Sequence, residues 1–235
     1  MLIDASAPKN KPETAQMVVI HKAMRREFGL LPHLVGAVPP ADATRGRLIA
    51  AHVELLLTLL HSHHDGEDRL LWPALASRAP LARNMTETME QQHRTVDRLV
   101  GSVRGELTRW SDGDDVARQH LADYLRRLDA ELASHLDAEE AEVLPLVHDH
   151  VTVAEWESVK DDAAQHMPRN PRLGLVAVGM ILADATHAER AWFLSALPGP
   201  VRLMWRLAGK SVYTAYVARL SGGDVPQRQP VAHRR

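Results

Sequence analysis

The sequence predicts an all-α protein, built as an up-down antiparallel four-helix bundle with a helical appendage at its C-terminal end. Three observations support this prediction. Leu, Ala, Arg and Glu dominate, β-branched runs are short, and no Asn-Gly hairpin signal occurs. Apolar residues recur at helical spacing over long stretches. The links between these stretches are short, as they are in antiparallel bundles.

Residues 1–12 contain two prolines and no periodicity, so we expect a flexible arm there. The bundle is predicted over residues 13–150. Its first helix should run from Glu13 to Phe28 and end at Gly29, with a loop over residues 31–42, which contain three prolines. A second helix starts near Thr44 and should stop or kink at Pro73. The third and fourth helices are predicted over about 80–110 and 114–144.

The chain after residue 150 is cut into shorter helices by prolines. Residues 151–221 are therefore predicted to form a helical appendage that packs on the bundle, since its pieces are too short to make a core alone. Residues 222–235 are predicted to form a disordered basic tail. From residue 198 onward there are seven Lys or Arg and one acid, which leaves the preceding part of the chain acidic.

Composition restricts the possible functions. The absence of Cys excludes disulfides, thiolate metal sites and a Cys nucleophile. A net charge of −2 gives no support for binding nucleic acid. No signal peptide is recognisable, and the longest apolar run (173–183) is too short to span a bilayer, so a cytoplasmic location is predicted. The 14 His residues outnumber the aromatic residues and indicate a site.

An internal repeat of 72 residues runs through the bundle without a gap. It superposes His21 on His93, His63 on His135 and Glu67 on Glu139. The bundle is therefore expected to consist of two helical hairpins. Each hairpin carries one His on its first helix and a His-x-x-x-Glu motif on its second.

These six residues are the predicted metal ligands. A His and a Glu four residues apart share one face of a helix and can reach a single point. Nitrogen and oxygen donors without sulfur favour iron or manganese over copper(I) or structural zinc. We expect two metal ions, each bound by two His, with both Glu side chains bridging them and a solvent-derived oxygen completing the pair.

The segments HHDGEDRLLWPAL and HLDAEEAEVLPLV resemble the doubled signature of hemerythrin-like proteins with the HHE cation-binding domain. The resemblance covers about residues 16–148. It implies an up-down four-helix bundle that holds two iron ions, oxo- or hydroxo-bridged, with manganese as a possible substitute. It also implies the same ligands, namely His21, His63, Glu67, His93, His135 and Glu139.

Two departures separate this sequence from the oxygen-carrying members of that family. The position four residues after His93 is Asp97, where the carriers have a fifth His. Glu139 lies four residues after His135, whereas the carriers have an Asp five residues after the corresponding His. The pattern is more similar to bacterial members that handle peroxide or nitric oxide, and to di-iron repair proteins. A ferritin-like site is disfavoured because it needs two Glu-x-x-His motifs, and Glu90–His93 is the single such spacing in the predicted bundle.

The resemblance implies a reaction with a small oxidant (hydrogen peroxide, nitric oxide or dioxygen) in defence against oxidative or nitrosative stress. Catalase-like disproportionation of peroxide or reduction of nitric oxide is the enzymatic hypothesis, with an unidentified electron donor as partner. The alternative is a sensor or binding protein for oxygen, nitric oxide or iron, without significant turnover. In a third reading the His residues are structural, and a chelator would leave stability unchanged.

Further residues are weighed as additions to the site. His64 points about 100° away from His63 on the helix, so we expect it in solvent or behind the ligands. Glu131 is expected to serve solubility or a salt bridge. His166 and His187 would reach the metals only if the appendage covers the mouth of the bundle.

Other polar residues are predicted to have structural roles. His52 and Tyr124 each precede a ligand by 11 residues, which places them about 16 Å along the axis, in packing positions. Four acids flank the ligands and could accept a hydrogen bond from an imidazole, although a solvated face is expected; they are Asp65, Asp68, Asp137 and Glu140. The aromatic residues after position 190 alternate with basic ones. They are predicted to pack on the bundle rather than to contact a membrane surface.

Overall fold

The computed structural model describes residues 10–40, 42–79, 82–111 and 113–222. Within these ranges the regular structure is helical and no strand occurs, which confirms the predicted all-α bundle with additional C-terminal helices. The predicted arm and tail lie mostly outside the described residues. The α-helices are α1 (Ala15–Gly36), α2 (Ala43–Gly66), α3 (Trp72–Arg78), α4 (Arg83–Ser111), α5 (Asp115–Ala138), α6 (Leu144–His150), α7 (Val153–Gln165), α8 (Pro171–Leu182), α9 (His187–Ala196), α10 (Gly199–Met204) and α11 (Lys210–Leu220).

Four long helices, α1, α2, α4 and α5, form the bundle. Helix α5 packs against α1 and α4, and α2 packs against the same two helices from the opposite corner. Their inward apolar stripes make one core that includes Leu31, Ile49 and Leu121, all fully buried. A second core lies at the other end and is built around Trp72 and Trp156. The candidate site lies between these two cores along the helices.

Helix α1 is longer than the sequence predicted. It runs through Gly29 and Pro32 and ends at Gly36, so the expected loop over 31–42 is wrong for its first six residues. The local breakers are overridden by burial, because Leu31 and Val35 on the same turns are fully enclosed in the core.

One π-helical turn interrupts the second helix of each hairpin. It spans Glu67–Leu71 in the first hairpin and Glu139–Val143 in the second. The 72-residue repeat holds for the bounds of these turns and of the helices that follow them. Proline occupies the second position of each following helix. Since proline lacks an N–H and clashes with the preceding turn, the backbone widens there instead of breaking. The expected stop or kink at Pro73 is therefore a π turn.

The C-terminal helices pack along the bundle. Helix α7 lies against the first π turn, where Arg69 makes two 2.9 Å contacts with the Asp162 carboxylate. Trp156 of α7 is buried and donates to Gln16 Oε1 over 3.3 Å. Helix α8 packs against α1, and α11 packs against α8 and α2. No helix in the described part of the chain is long and apolar enough to cross a membrane.

A buried hydrogen bond joins the bundle to α11. His52 of α2 is fully enclosed, and its Nδ1 lies 3.0 Å from the Tyr216 hydroxyl. The nearest carboxylate oxygen, on Glu27, is 3.8 Å from Nε2. Burial lowers the pKa of His52 to about 4. His52 is therefore a neutral packing residue, in agreement with the role predicted from its distance along the helix.

Acidification should expose the contribution of His52 to stability. Because its folded-state pKa is about 4 and its ordinary value is 6.5, the unfolded chain takes up the proton first as the pH falls. The contribution of neutral His52 to the free energy of unfolding is complete above pH 6.5 and is lost toward pH 4. We expect a loss of about 2 kcal/mol by pH 5 and about 3 kcal/mol in total. Urea unfolding of wild type and His52→Gln at pH 7.5 and pH 5 measures this difference. Parallel losses in the two proteins would contradict it.

Candidate metal centre

The structure brings the six predicted residues together, and a seventh joins them. Helix α1 supplies His21, α2 supplies His63 and His64, α4 supplies His93, and α5 supplies His135. The two glutamates, Glu67 and Glu139, begin the π turns. All seven side chains are between 0 and 2% exposed except that of His63, which is 10% exposed.

Potential ligand atoms of these residues form two groups, and within each group all of them lie within 4.8 Å of one another. The first group contains His21, His63, Glu67 and Glu139, and the second contains His64, Glu67, His93 and His135. Glu67 belongs to both groups. The arrangement is less symmetric than the repeat predicted, since His64 gives the second group a third imidazole. Glu139 belongs to the first group, and its Oε2 lies 3.4 Å from His21 Nε2 and 3.8 Å from His135 Nε2 of the second group.

Of the two alternatives predicted for His64, the one in which it faces solvent is wrong. Its side chain is buried, and its ring stacks on that of His93 with centroids 3.9 Å apart. Glu67 is four residues after His63 and three after His64, so on a helix it lies at an angle between them. The two imidazoles therefore flank one carboxylate, and each belongs to a different group. This spacing was the available signal, because it places Glu67 between two imidazoles of different groups.

The site fits a cation because several of its buried polar atoms have no hydrogen-bond partner in the protein. Both carboxylate oxygens of Glu67 and of Glu139 are buried without a hydrogen bond, as are both ring nitrogens of His64. The Nε2 atoms of His93 and His135 are 3.2 Å apart. When each ring donates from Nδ1, these two nitrogens present lone pairs to each other. Buried polar groups left in this state cost free energy that bound cations would remove.

Burial and mutual repulsion set the protonation of the site. Burial, followed by repulsion from Glu139, raises the pKa of Glu67 well above its usual value. Burial also lowers the pKa of His63 and His64, and it brings that of His135 to about 3. These three imidazoles are thus neutral, the form that binds metals. Burial also raises the pKa of Glu139, although His21 and His93 oppose this rise. Bound metal cations would favour the charged form of both carboxylates.

Two acids next to the glutamates hold imidazoles of the opposite hairpin. His93 Nδ1 lies 2.8 Å from Asp68 Oδ1, and His21 Nδ1 lies 2.9 Å from Glu140 Oε1. These two pairs are related by the 72-residue repeat. Of the two predicted alternatives, the contact with an imidazole therefore holds for these two acids, although the Asp68 side chain is still 40% exposed. Asp65 lies in a surface ion pair with Arg69. An acceptor on Nδ1 fixes the ring and leaves Nε2 directed into the site.

Further contacts fix Glu140 and His135. Arg25 donates to Glu140 over 2.6 Å. Burial opposes the charged form of Glu140, but hydrogen bonds from His21 and Arg25 outweigh it and lower its pKa. The Gln92 side-chain oxygen lies 2.9 Å from His135 Nδ1. Most imidazoles of the centre thus have a partner outside it.

Neutralising the two supporting acids should weaken cation binding without removing a ligand. For Glu140→Gln and Asp68→Asn we expect a loss of affinity of about 10- to 100-fold, because each variant weakens the acceptor that orients one imidazole. Titration with iron(II) under anaerobic conditions measures this loss. Asp65→Asn is the matched control, since Asp65 lies beside His64 in sequence but pairs with Arg69. Equal affinities for all three variants would contradict the orienting role.

The remaining candidates lie outside both groups. Glu131 is exposed, which agrees with the predicted role in solubility. His166 and His187 are also exposed, and neither belongs to either group. Tyr124 is half-buried at the core of the bundle.

Comparison with known proteins gives one match. A family model described as the hemerythrin HHE cation-binding domain matches residues 13–166. This segment is more than half of the chain and contains all seven residues of the candidate centre. It also extends through α7, beyond the bundle boundary at residue 150 that the sequence predicted. No curated protein and no solved structure gives a significant match.

Proposed function

Because the chain belongs to the hemerythrin HHE cation-binding family, we propose that it holds two iron ions between its bundle helices and reacts with a small oxidant. The observation that carries the proposal is the sharing of Glu67 by two groups of buried donors. Manganese would suit the same donors. Two adjacent redox-active ions would supply a pair of electrons and positions where a small molecule can bind.

Each group would hold one ion. His64, His93 and His135 would hold the first, His21, His63 and Glu139 would hold the second, and Glu67 would join the two. Asp68 and Glu140 would keep two of the imidazole rings oriented while ligands exchange. The two apolar cores above and below the centre exclude bulk water and so protect it from side reactions.

The proposed substrates are small for a structural reason. His63 is the one residue of the centre with measurable exposure, so access from solvent is narrow and lies at its edge. Hydrogen peroxide, nitric oxide and dioxygen fit such an opening. We favour hydrogen peroxide disproportionation as the reaction, because one peroxide molecule acts as the oxidant and another as the reductant. This route needs no electron donor, whereas reduction of nitric oxide requires one.

The test combines metal analysis with an activity assay. We expect about two irons per chain after anaerobic reconstitution, charge-transfer absorption in the near ultraviolet, and oxygen evolution when peroxide is added. His135→Ala should lose this activity, whereas His166→Ala, which changes an exposed imidazole, should keep it. A chain that binds no metal after reconstitution would refute the proposal. A metal-loaded chain that leaves peroxide unchanged would refute the enzymatic part alone.

One contact favours a sensor as the second candidate. The π turn that begins at Glu67 also carries Arg69, which pairs with Asp162 of α7. A change in the bound ions would therefore reach α7 through a short path. For a sensor, we expect slow turnover together with a change in protease cleavage near α7 when nitric oxide or dioxygen is added.

A further inference from the structure

The C-terminal helices end in one nearly continuous helix over residues 199–220, made of α10, a π turn (Trp205–Gly209) and α11. One side of this helix packs inward. The Tyr213 ring lies so close to α8 that a Cβ atom on Gly179 would come within 2.3 Å of it. Tyr216 reaches His52, and Leu220 is buried. Tyr213 and Tyr216 thus pack on the protein, which agrees with the prediction for these two aromatic residues.

The other side of its first half is exposed and apolar. Leu203 is 56% exposed, Met204 39% and Leu207 78%. In the described residues, Val116 at the start of α5 is the one other large apolar side chain with comparable exposure. Three such residues within five positions form a contiguous patch, in contrast to the single exposed apolar residues common on protein surfaces.

A basic stripe runs beside this patch. Arg202, Arg206 and Lys210 follow each other at intervals of four residues and are all exposed. Within the described ranges none of them forms an ion pair, although Arg202 contacts the Ser195 carbonyl at 3.5 Å. The sequence has no Asp or Glu between residues 190 and 223. The helix therefore presents apolar and positively charged groups together, with no acid to neutralise them.

We propose that this surface, the α10 face (Arg202, Leu203, Met204, Arg206, Leu207 and Lys210), docks onto a membrane that carries anionic lipid headgroups. Leucines beside lysines and arginines on one helix are typical of helices that lie in the membrane interface. The leucines would enter the boundary between headgroups and acyl chains, while the basic residues contact lipid phosphates. A protein partner is disfavoured because three apolar side chains are a small part of the ~800 Å² that each partner buries in a standard interface.

The membrane contact predicts a specific pattern of vesicle binding. The full chain, loaded with iron, should co-sediment with vesicles of phosphatidylcholine and phosphatidylglycerol but not with phosphatidylcholine alone. Leu203→Ser combined with Leu207→Ser should weaken binding by about tenfold or more, because both insertions are lost. Replacing Arg202, Arg206 and Lys210 with Gln should weaken it on the order of a hundredfold. Val116→Ser, the matched apolar control, should bind as wild type does.

Three outcomes would overturn the proposal. The first is an absence of binding to vesicles with phosphatidylglycerol. The second is undiminished binding by the double Ser variant, which would assign the effect to charge elsewhere, such as the basic residues after position 222. The third is a concentration-dependent dimer that the double Ser variant abolishes, because the α10 face would then bind a second copy of the chain. Unchanged helical content and iron content in every variant show that the fold is intact.

Discussion

Replacing Glu67 with Ala should remove both bound cations, whereas replacing Glu139 with Ala should remove one. Glu67 contributes to both donor groups, and its loss leaves each group with a ligand missing and no shared carboxylate. Glu139 belongs to the group of His21 and His63, so the three imidazoles of the other group remain with Glu67. The two residues are equivalent in the sequence repeat, and the structure alone makes their variants differ.

Iron content per chain after anaerobic reconstitution measures this difference. We expect about two irons in wild type, about one in Glu139→Ala and almost none in Glu67→Ala. Glu131→Ala is the control, because it removes an exposed carboxylate one turn before His135. If both Ala variants of the centre retain the same amount of iron, the asymmetry between the groups is wrong.

Removing the cations should destabilise the protein strongly. Each cation present at about a thousandfold its dissociation constant adds about 4 kcal/mol to the free energy of unfolding. In a chain of this size, each kcal/mol corresponds to roughly 2–4 °C in Tm. Chelation should therefore lower Tm by on the order of 10 °C or more, because it leaves the carboxylates of Glu67 and Glu139 buried without partners.

Calorimetry before and after treatment with a chelator tests this expectation, and added iron(II) should restore the original Tm. Glu67→Ala should give a low Tm that the chelator does not change, since that variant has no cations to lose. An unchanged Tm in wild type would instead support the reading in which the His residues are structural.

The sequence predicted the fold class and the six repeated residues of the centre because both depend on spacing within helices. The 72-residue repeat is kept in the bounds of the π turns, so positions matched in sequence are also matched in space. The end of α1 could not be predicted in the same way. Gly29 and Pro32 disfavour a helix locally, but burial of Leu31 and Val35 stabilises it, and burial is a tertiary property.

His64 and the supporting acids show a different limit. The angular argument for His64 considered its direction relative to His63 alone, whereas Glu67 lies between the two imidazoles and belongs to both groups. Both Asp65 and Asp68 have acidic partners in the repeat, at Asp137 and Glu140. The repeat therefore gives no reason to assign different roles to Asp65 and Asp68. The placement of the first π turn beside α4 determines that Asp68 accepts from His93, whereas Asp65 pairs with Arg69 four residues later.

Each of the two imidazoles is separated from its supporting acid by a different number of residues, and this difference affects the order of folding. Asp68 and His93 are 25 residues apart, whereas His21 and Glu140 are 119 residues apart. Closing the longer loop costs more entropy and is slower. The group with three imidazoles lies wholly on α2, α4, α5 and the turn after α2, so it can assemble before α1 docks. We therefore expect the group with three imidazoles to assemble first, and the group that contains His21 to be completed as α1 closes the bundle.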